Sequence, residues 1–286
     1  MEKVWFLTGS AAGLGRSIAE AVLKNGGLLA ATARNPERLA DLKEQYGDRI
    51  LTLELDVTDE KAVFGAVGRT LEVFGRIDVL VNNAGYGHFA PFEQQSSETF
   101  RGQIETNLFG VVNTSRAVLP HMRKRHSGHI LNISSVGGRI SNPGISAYQT
   151  AKWAVGGFSE ALAKECAGFD VKVCCLEPGG IRTNWGVTAI SETPEILPDY
   201  DGSVGALYRM LKDFVGSEMT SPEKFAQVIL MLAERDELPL HLLIGADAVQ
   251  FTKMADEVRN RQAQEYMDIS LSTATDGVNV PELPVK

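Results

Sequence analysis

In the segment SAYQTAKWAV, Ser146 to Val155, a phenol and an ammonium stand four residues apart: Tyr148 and Lys152. On a helix, that spacing puts two side chains on one face. A free tyrosine keeps its proton to a pH near 10, so it is a sluggish acid or base at neutral pH. A nearby cation favours the charged phenolate and lowers that value. A phenol tuned toward the working pH is a better general acid or base. The pair is therefore a candidate for proton transfer; the bland alternative is a packed tyrosine beside a solvated lysine.

Other segments decide between the two. TGSAAGLG, Thr8 to Gly15, follows a predicted strand and opens a helix. Gly9, Gly13 and Gly15, with Ser10, Ala12 and Leu14 between them, would bring bare backbone N–H groups and a helix N-terminus to a pyrophosphate. The spacing is G-x-x-x-G-x-G, and the strand-to-helix context is what makes such a loop credible. The second strand ends ATAR, with Ala33 where an NAD enzyme often has an acid and Arg34 next to it. Arginine suits a ribose 2′-phosphate, so NADP(H) is favoured and NAD(H) is the second choice. In LELDVTD, Asp56 and the Val57 backbone are candidates for the adenine, and Thr58 reads as an N-cap. NNAG, with Asn83, Ala84 and Gly85, lets a backbone approach a flat ligand, and Ser135 lies at the end of another strand.

The elements that must position these residues alternate. Apolar runs at 3–8, 28–33, 50–55, 77–81, 129–134, 171–176 and 241–244 read as strands, and 14–25, 36–46, 59–74, 97–125, 146–168 and 222–235 as helices. Continuous apolar strands alternating with helices imply a parallel sheet covered on both faces. No linker divides residues 1–286. An insert, 184–221, with a helical pattern at 203–215, is placed to act as a substrate lid beyond the strand ends. A C-terminal helix and polar tail fill 246–286.

A formal net charge of -8 argues against a nucleic-acid-binding surface. The opening apolar run, Val4 to Leu7, is too short for a signal core or membrane span, so a soluble cytoplasmic protein is expected. Cys166, Cys174 and Cys175 show no metal-ligand spacing and read as buried reduced thiols; no metal is expected. His121, His126 and His129 flank a cationic helix end that reads as stopping at Gly128.

TGSAAGLG, NNAG, Asn107 in NLFG, Ser135, YQTAK and PGGIRT (178–183) together resemble the short-chain dehydrogenases/reductases, in the compact single-domain branch, over about residues 3 to 245. The resemblance implies an α/β fold, a doubly wound Rossmann-like sheet of seven parallel strands in a single domain. It implies hydride transfer between NADP(H) and a small carbonyl or secondary-alcohol substrate. Tyr148 would be the general acid/base and Lys152 would also bond the nicotinamide ribose. Ser135 would bond the substrate oxygen, and Asn107 would hold a water linking Lys152 to solvent. Pro178, Gly179, Ile181 and Thr183 would bound the nicotinamide. His88, Gly138, Ile145 and Trp185, placed beside these motifs, are the candidate substrate pocket, with Phe89 nearby. A homodimer through the helices near 97–125 and 146–168 is the expectation, with a tetramer as the alternative. Two other functions stay open: a non-catalytic dinucleotide-binding regulator and an NAD-dependent alcohol dehydrogenase.

Overall fold

The computed structural model describes residues 2–275 and 277–280. One sheet holds β1 (Val4–Leu7), β2 (Leu28–Ala33), β3 (Ile50–Glu54), β4 (Val79–Asn82), β5 (Gly128–Ile133), β6 (Val171–Pro178) and β7 (His241–Ile244). Their order is β3-β2-β1-β4-β5-β6-β7, and every pairing is parallel. The expected fold is therefore present. The chain reverses direction of growth between β1 and β4, which opens a crevice at their carboxyl ends.

The helices are α1 (Gly13–Lys24), α2 (Ala40–Tyr46), α3 (Glu60–Phe74), α4 (Ser97–Ile104), α5 (Gly110–Arg125), α6 (Ser146–Cys166), α7 (Trp185–Ser191), α8 (Ala206–Phe214), α9 (Pro222–Ala233), α10 (Ala246–Glu265) and α11 (Met267–Leu271). Strand alternation sorts side chains to two layers. Trp5 and Leu7 of β1 pack with Ile18 of α1, Leu42 of α2 and Ile229 of α9. Phe6 points the other way, to Val67 of α3, Val118 of α5 and Leu162 of α6. Both layers exclude water, so a β1 side chain such as Phe6 or Leu7 each contributes about 1.5–3 kcal/mol by burial.

Several local expectations are corrected. The predicted helix 97–125 is two helices joined by a π turn, Glu105–Phe109. Helix α3 is capped by Asp59, whose side chain accepts from Ala62 N at 2.9 Å. Thr58 instead donates its N–H and hydroxyl to Asp56, in an Asx-type turn. Helix α5 stops at His126, in the left-handed conformation with φ 50°, while Gly128 already belongs to β5. In the insert, the expected helix appears as a π turn (Asp201–Gly205) and α8, and α7 precedes it unforeseen. The tail is helical to Leu271, and the part of it at 281–286 lies outside the described residues. Among the described residues no helix is long and apolar enough to cross a membrane.

Candidate active site

The loop after β1 is locked to the end of β4. Thr8 Oγ1 accepts the N–H groups of Asn83 and Ala84 at 2.9 and 3.0 Å, while Asn83 Nδ2 donates to the carbonyls of Thr8 and Gly9. A Cβ on Gly15 would lie 2.1 Å from the Gly9 carbonyl, so only glycine permits this turn into α1. The N-cap of α1, Ala12, offers no side-chain bond and the first turn carries no acid. The first N–H groups of α1 therefore have no capping side chain, and the helix end favours an anion. Ser10 is fully buried, and both its donors are spent inside the protein: N–H on Thr32 O and hydroxyl on Leu7 O. Leu14 is buried in the sheet-facing core.

At the ribose end, Arg34 is exposed, with no hydrogen bond or ion pair among the described residues. The other nearby cation is committed, for Arg16 pairs with Asp41 and Glu20, which raise its pKa. Ala33 is buried, so no acid competes for a phosphate there. Asp56 spends one oxygen on Thr58, and the Val57 carbonyl accepts from Asn113 Nδ2 at 3.1 Å. Any role of Val57 toward a ring thus falls to its other atoms.

The four expected catalytic residues converge. Tyr148 and Lys152 lie in the first two turns of α6, and the Lys152 ammonium stands 5.6 Å from the centre of the Tyr148 ring. Lys152 is 4% exposed and donates to the Ile133 carbonyl at 2.8 Å. Burial lowers its pKa to about 8. Ser135 caps a short 3-10 turn by accepting from Gly137 N at 3.0 Å. Asn107 sits in the π turn, fully buried, and gives both amide hydrogens to the Tyr86 and Gln103 carbonyls. A Cβ on Gly85 would lie 2.5 Å from Asn107 Oδ1 and 3.6 Å from Lys152 Nζ, so the backbone here packs directly against Asn107 and near the ammonium.

The electrostatics correct one expectation. Burial drives Tyr148 up to about 12, offset in part by hydrogen bonding to Ser135. Desolvation outweighs the hydrogen bond, and Lys152 is not among the groups that shift the phenol. The phenol thus keeps its proton at neutral pH and is not partly ionised.

Beneath these residues a polar chain crosses the sheet. Thr114 donates to Asn82, Asn82 to Asn132, and Asn132 to Ser159, at 2.5, 2.8 and 2.9 Å, all four side chains buried. Asn82, the first amide of NNAG, thus ties β4 to β5 and α5, and Asn132 carries the chain on to α6.

Pro178 ends β6, and Gly179 to Thr183 lead away from it. Thr183 reaches the glycine loop, its Cβ 3.5 Å from where a Cβ on Gly13 would be, and Ile181 bridges to Thr220. Trp185 follows, and its ring lies 5.0 Å from that of Tyr148 and over Gly87. The insert is tied to the loop opposite: Phe89 N donates to Ala189 O, and Gln94 bonds the main chain of Glu195 and Leu197. His88 is half-buried, with its N–H on Gln103 Oε1, and Ile145 is half-buried at the start of α6. Phe89 is fully buried beside Tyr208, and a side chain on Gly138 would meet Ser134 Oγ and the Lys152 carbonyl.

Behind α6 the fold gathers a group that spacing could not reveal: Cys175, Glu177 and His241, with ligand-type atoms within 4.8 Å of one another. Hydrogen bonds with Cys175 and Glu177 push His241 up to about 10, so it is a cation at neutral pH. With Arg139, 2.9 Å away, it neutralises the buried Glu177 carboxylate. The group is an internal ion cluster in this structure. The three cysteines are free and buried.

Fold and site together define an oxidoreductase built for a nicotinamide dinucleotide. A sequence model described as short chain dehydrogenase matches residues 3–193, and the chain belongs to that family. "Oxidoreductase BOA17" of Botryotinia fuckeliana (strain B05.10) is 48% identical over 275 residues, covering 96% of this chain and 100% of that one. A short-chain dehydrogenase structure from Streptomyces avermitilis superposes with a TM-score of 0.88 at 37% identity, covering 96% of this chain and 100% of that one. The structure of ElxO with NADP bound superposes at 0.73 with 29% identity, covering 87% of this chain and 100% of that one.

Proposed function

We propose that the chain interconverts a carbonyl and a secondary alcohol, with NADP(H) as its dinucleotide and Tyr148 as the proton donor and acceptor. The observation that carries this is the convergence of a half-buried phenol, a buried ammonium and Ser135 beside the glycine cradle. The uncapped α1 end, the tight glycine turn that leads into it, and the unpaired Arg34 fit a dinucleotide with a 2′-phosphate. Gly9, Gly13 and Asn83 would border its pyrophosphate, Arg34 the 2′-phosphate, and Pro178 to Thr183 the nicotinamide. When bound, the dinucleotide supplies the hydride.

The remaining work falls to the chain's own side chains. At a pKa of about 12 Tyr148 holds its proton at pH 7, ready for an oxygen that gains negative charge. Ser135 stabilises the same oxygen and, by bonding Tyr148, the phenolate left behind. Lys152, mostly charged at pH 7 with a pKa near 8, adds a cation in a medium where charges interact more strongly than in water. Asn107 and Lys152 meet at Gly85, the way by which a proton returns from solvent. The insert 184–221 acts as a lid, with Trp185 covering Tyr148 and offering an apolar wall to the substrate. We assign a homodimer to the faces of α4, α5 and α6, where Phe109 and Trp153 are exposed.

The test is NADPH consumption by purified protein across ketones, aldehydes, steroids and sugars. At least one compound should turn over, and Tyr148→Phe should lower kcat by about 10²–10⁴ while NADPH affinity stays within a few-fold. Undiminished activity in that variant would end the assignment. Arg34→Asp should move preference from NADPH toward NADH; a wild-type protein that already prefers NADH defeats the 2′-phosphate reading.

A further inference from the structure

The segment Pro178 to Thr183 is fastened from three directions. Gly179 N donates to the Ile244 carbonyl at the end of β7, at 2.9 Å. Thr220, where the insert ends, pairs with Gly180 and Arg182 through its own main chain, at 3.1 and 3.0 Å. The third fastening is a side chain: Asp247, in the first turn of α10, accepts the Gly180 N–H on Oδ2 at 2.7 Å.

Asp247 is 7% exposed. Its seat is cut to the shape of a carboxylate, for a Cβ on Gly179 would lie 2.2 Å from both oxygens and one on Gly245 2.6 Å from Oδ1. Oδ1 has no hydrogen-bond partner, and neither has the Thr220 hydroxyl that borders the same seat. Holding a carboxylate out of water with one oxygen unmatched is costly, so an apolar residue of similar size would serve stability at least as well. What the carboxylate supplies is a strong, directional bond to one peptide N–H.

We infer that Asp247 is a positioning residue for the nicotinamide half of the dinucleotide. It fixes the Gly179–Gly180 turn, so that Thr183 is presented to the glycine loop before any ligand arrives. The inference rests on the dinucleotide reading given above. It also gives the C-terminal helix a part in the site, since its first turn sets the loop that the resemblance assigns to the nicotinamide ring.

Calorimetric titration of wild type and Asp247→Ala with NADPH, and with adenosine 2′,5′-bisphosphate, separates positioning from general damage, because the fragment lacks the nicotinamide half. The NADPH Kd should rise about tenfold or more, as expected for losing one charge-assisted bond, while the fragment's Kd stays within about twofold. Asp247→Asn, which keeps an acceptor for Gly180, should recover most of the affinity. If Asp247→Ala does not fold, Asp247→Leu, which fills the seat without an acceptor for Gly180, should give the same split. Equal weakening of both ligands, or no change in either, overturns the inference. A wild type that binds neither NADPH nor NADH sinks the function reading and this inference together; normal wild-type binding with an unsplit response sinks this one alone.

Discussion

Two cations lie one turn apart along helix α6, Lys152 on it and His241 against Gly156, and the protein treats them in opposite ways. Lys152 has a carbonyl for company and no carboxylate, and burial pulls its pKa down to about 8. His241 lies against Gly156, meets Glu177 and Cys175, and is pushed up to about 10. Cys175 is felt by both. A strong base is weakened by burial, and a weak base is strengthened by two neighbours on β6. Counter-charge explains the difference: where the fold supplies an acid, the cation is consumed by the structure. Where it withholds one, the cation is left for a ligand or a reacting group, the pattern expected of a functional site.

The comparison breaks most sharply at Lys152. Lys152→Met should lower turnover by about 10² or more. Activity that needs the charged lysine falls as pH rises through about 8, so the wild-type pH profile should show a descending limb there and the variant should lack it. An identical profile in the two proteins would show that the lysine's charge is not used.

A smaller effect is expected at His241, and it should be read in stability, not in rate. Its folded pKa lies above the ordinary 6.5, so the stabilisation is complete below about pH 6.5 and is lost as pH rises toward 10. His241→Gln should therefore lower Tm by a few degrees at pH 6, with the gap closing by pH 10. The side chain is partly exposed, and solvent screening keeps the effect modest. A gap that widens with pH would mean that the imidazolium is not what the cluster uses.

The sequence made one side of this comparison readable and hid the other. The seven strands stand out as unbroken apolar runs, and Tyr148, Lys152, Ser135 and the glycine loop come together because each motif closes a strand or opens a helix. The ion cluster was invisible, since Glu177 and His241 meet only because β6 and β7 lie side by side. Asp247 was missed for the same reason, its partner Gly180 being 67 residues away. The π turn at Asn107 leaves no mark in a helical pattern, because one wider turn barely disturbs the apolar stripe. The direction of the Tyr148 shift was misjudged because spacing reports which groups are near, whereas desolvation depends on how densely everything else packs.

The roof of the crevice has a property of its own. Its fastenings to the opposite loop use main-chain atoms of Ala189, Glu195 and Leu197, which exist whatever side chains those positions carry. Replacement of the roof's side chains leaves those anchors in place, so the residues above Tyr148 are free to diversify while the chemistry below stays fixed. On the reading proposed above, substrate range is a trait that evolution, or an engineer, can exchange without rebuilding the floor.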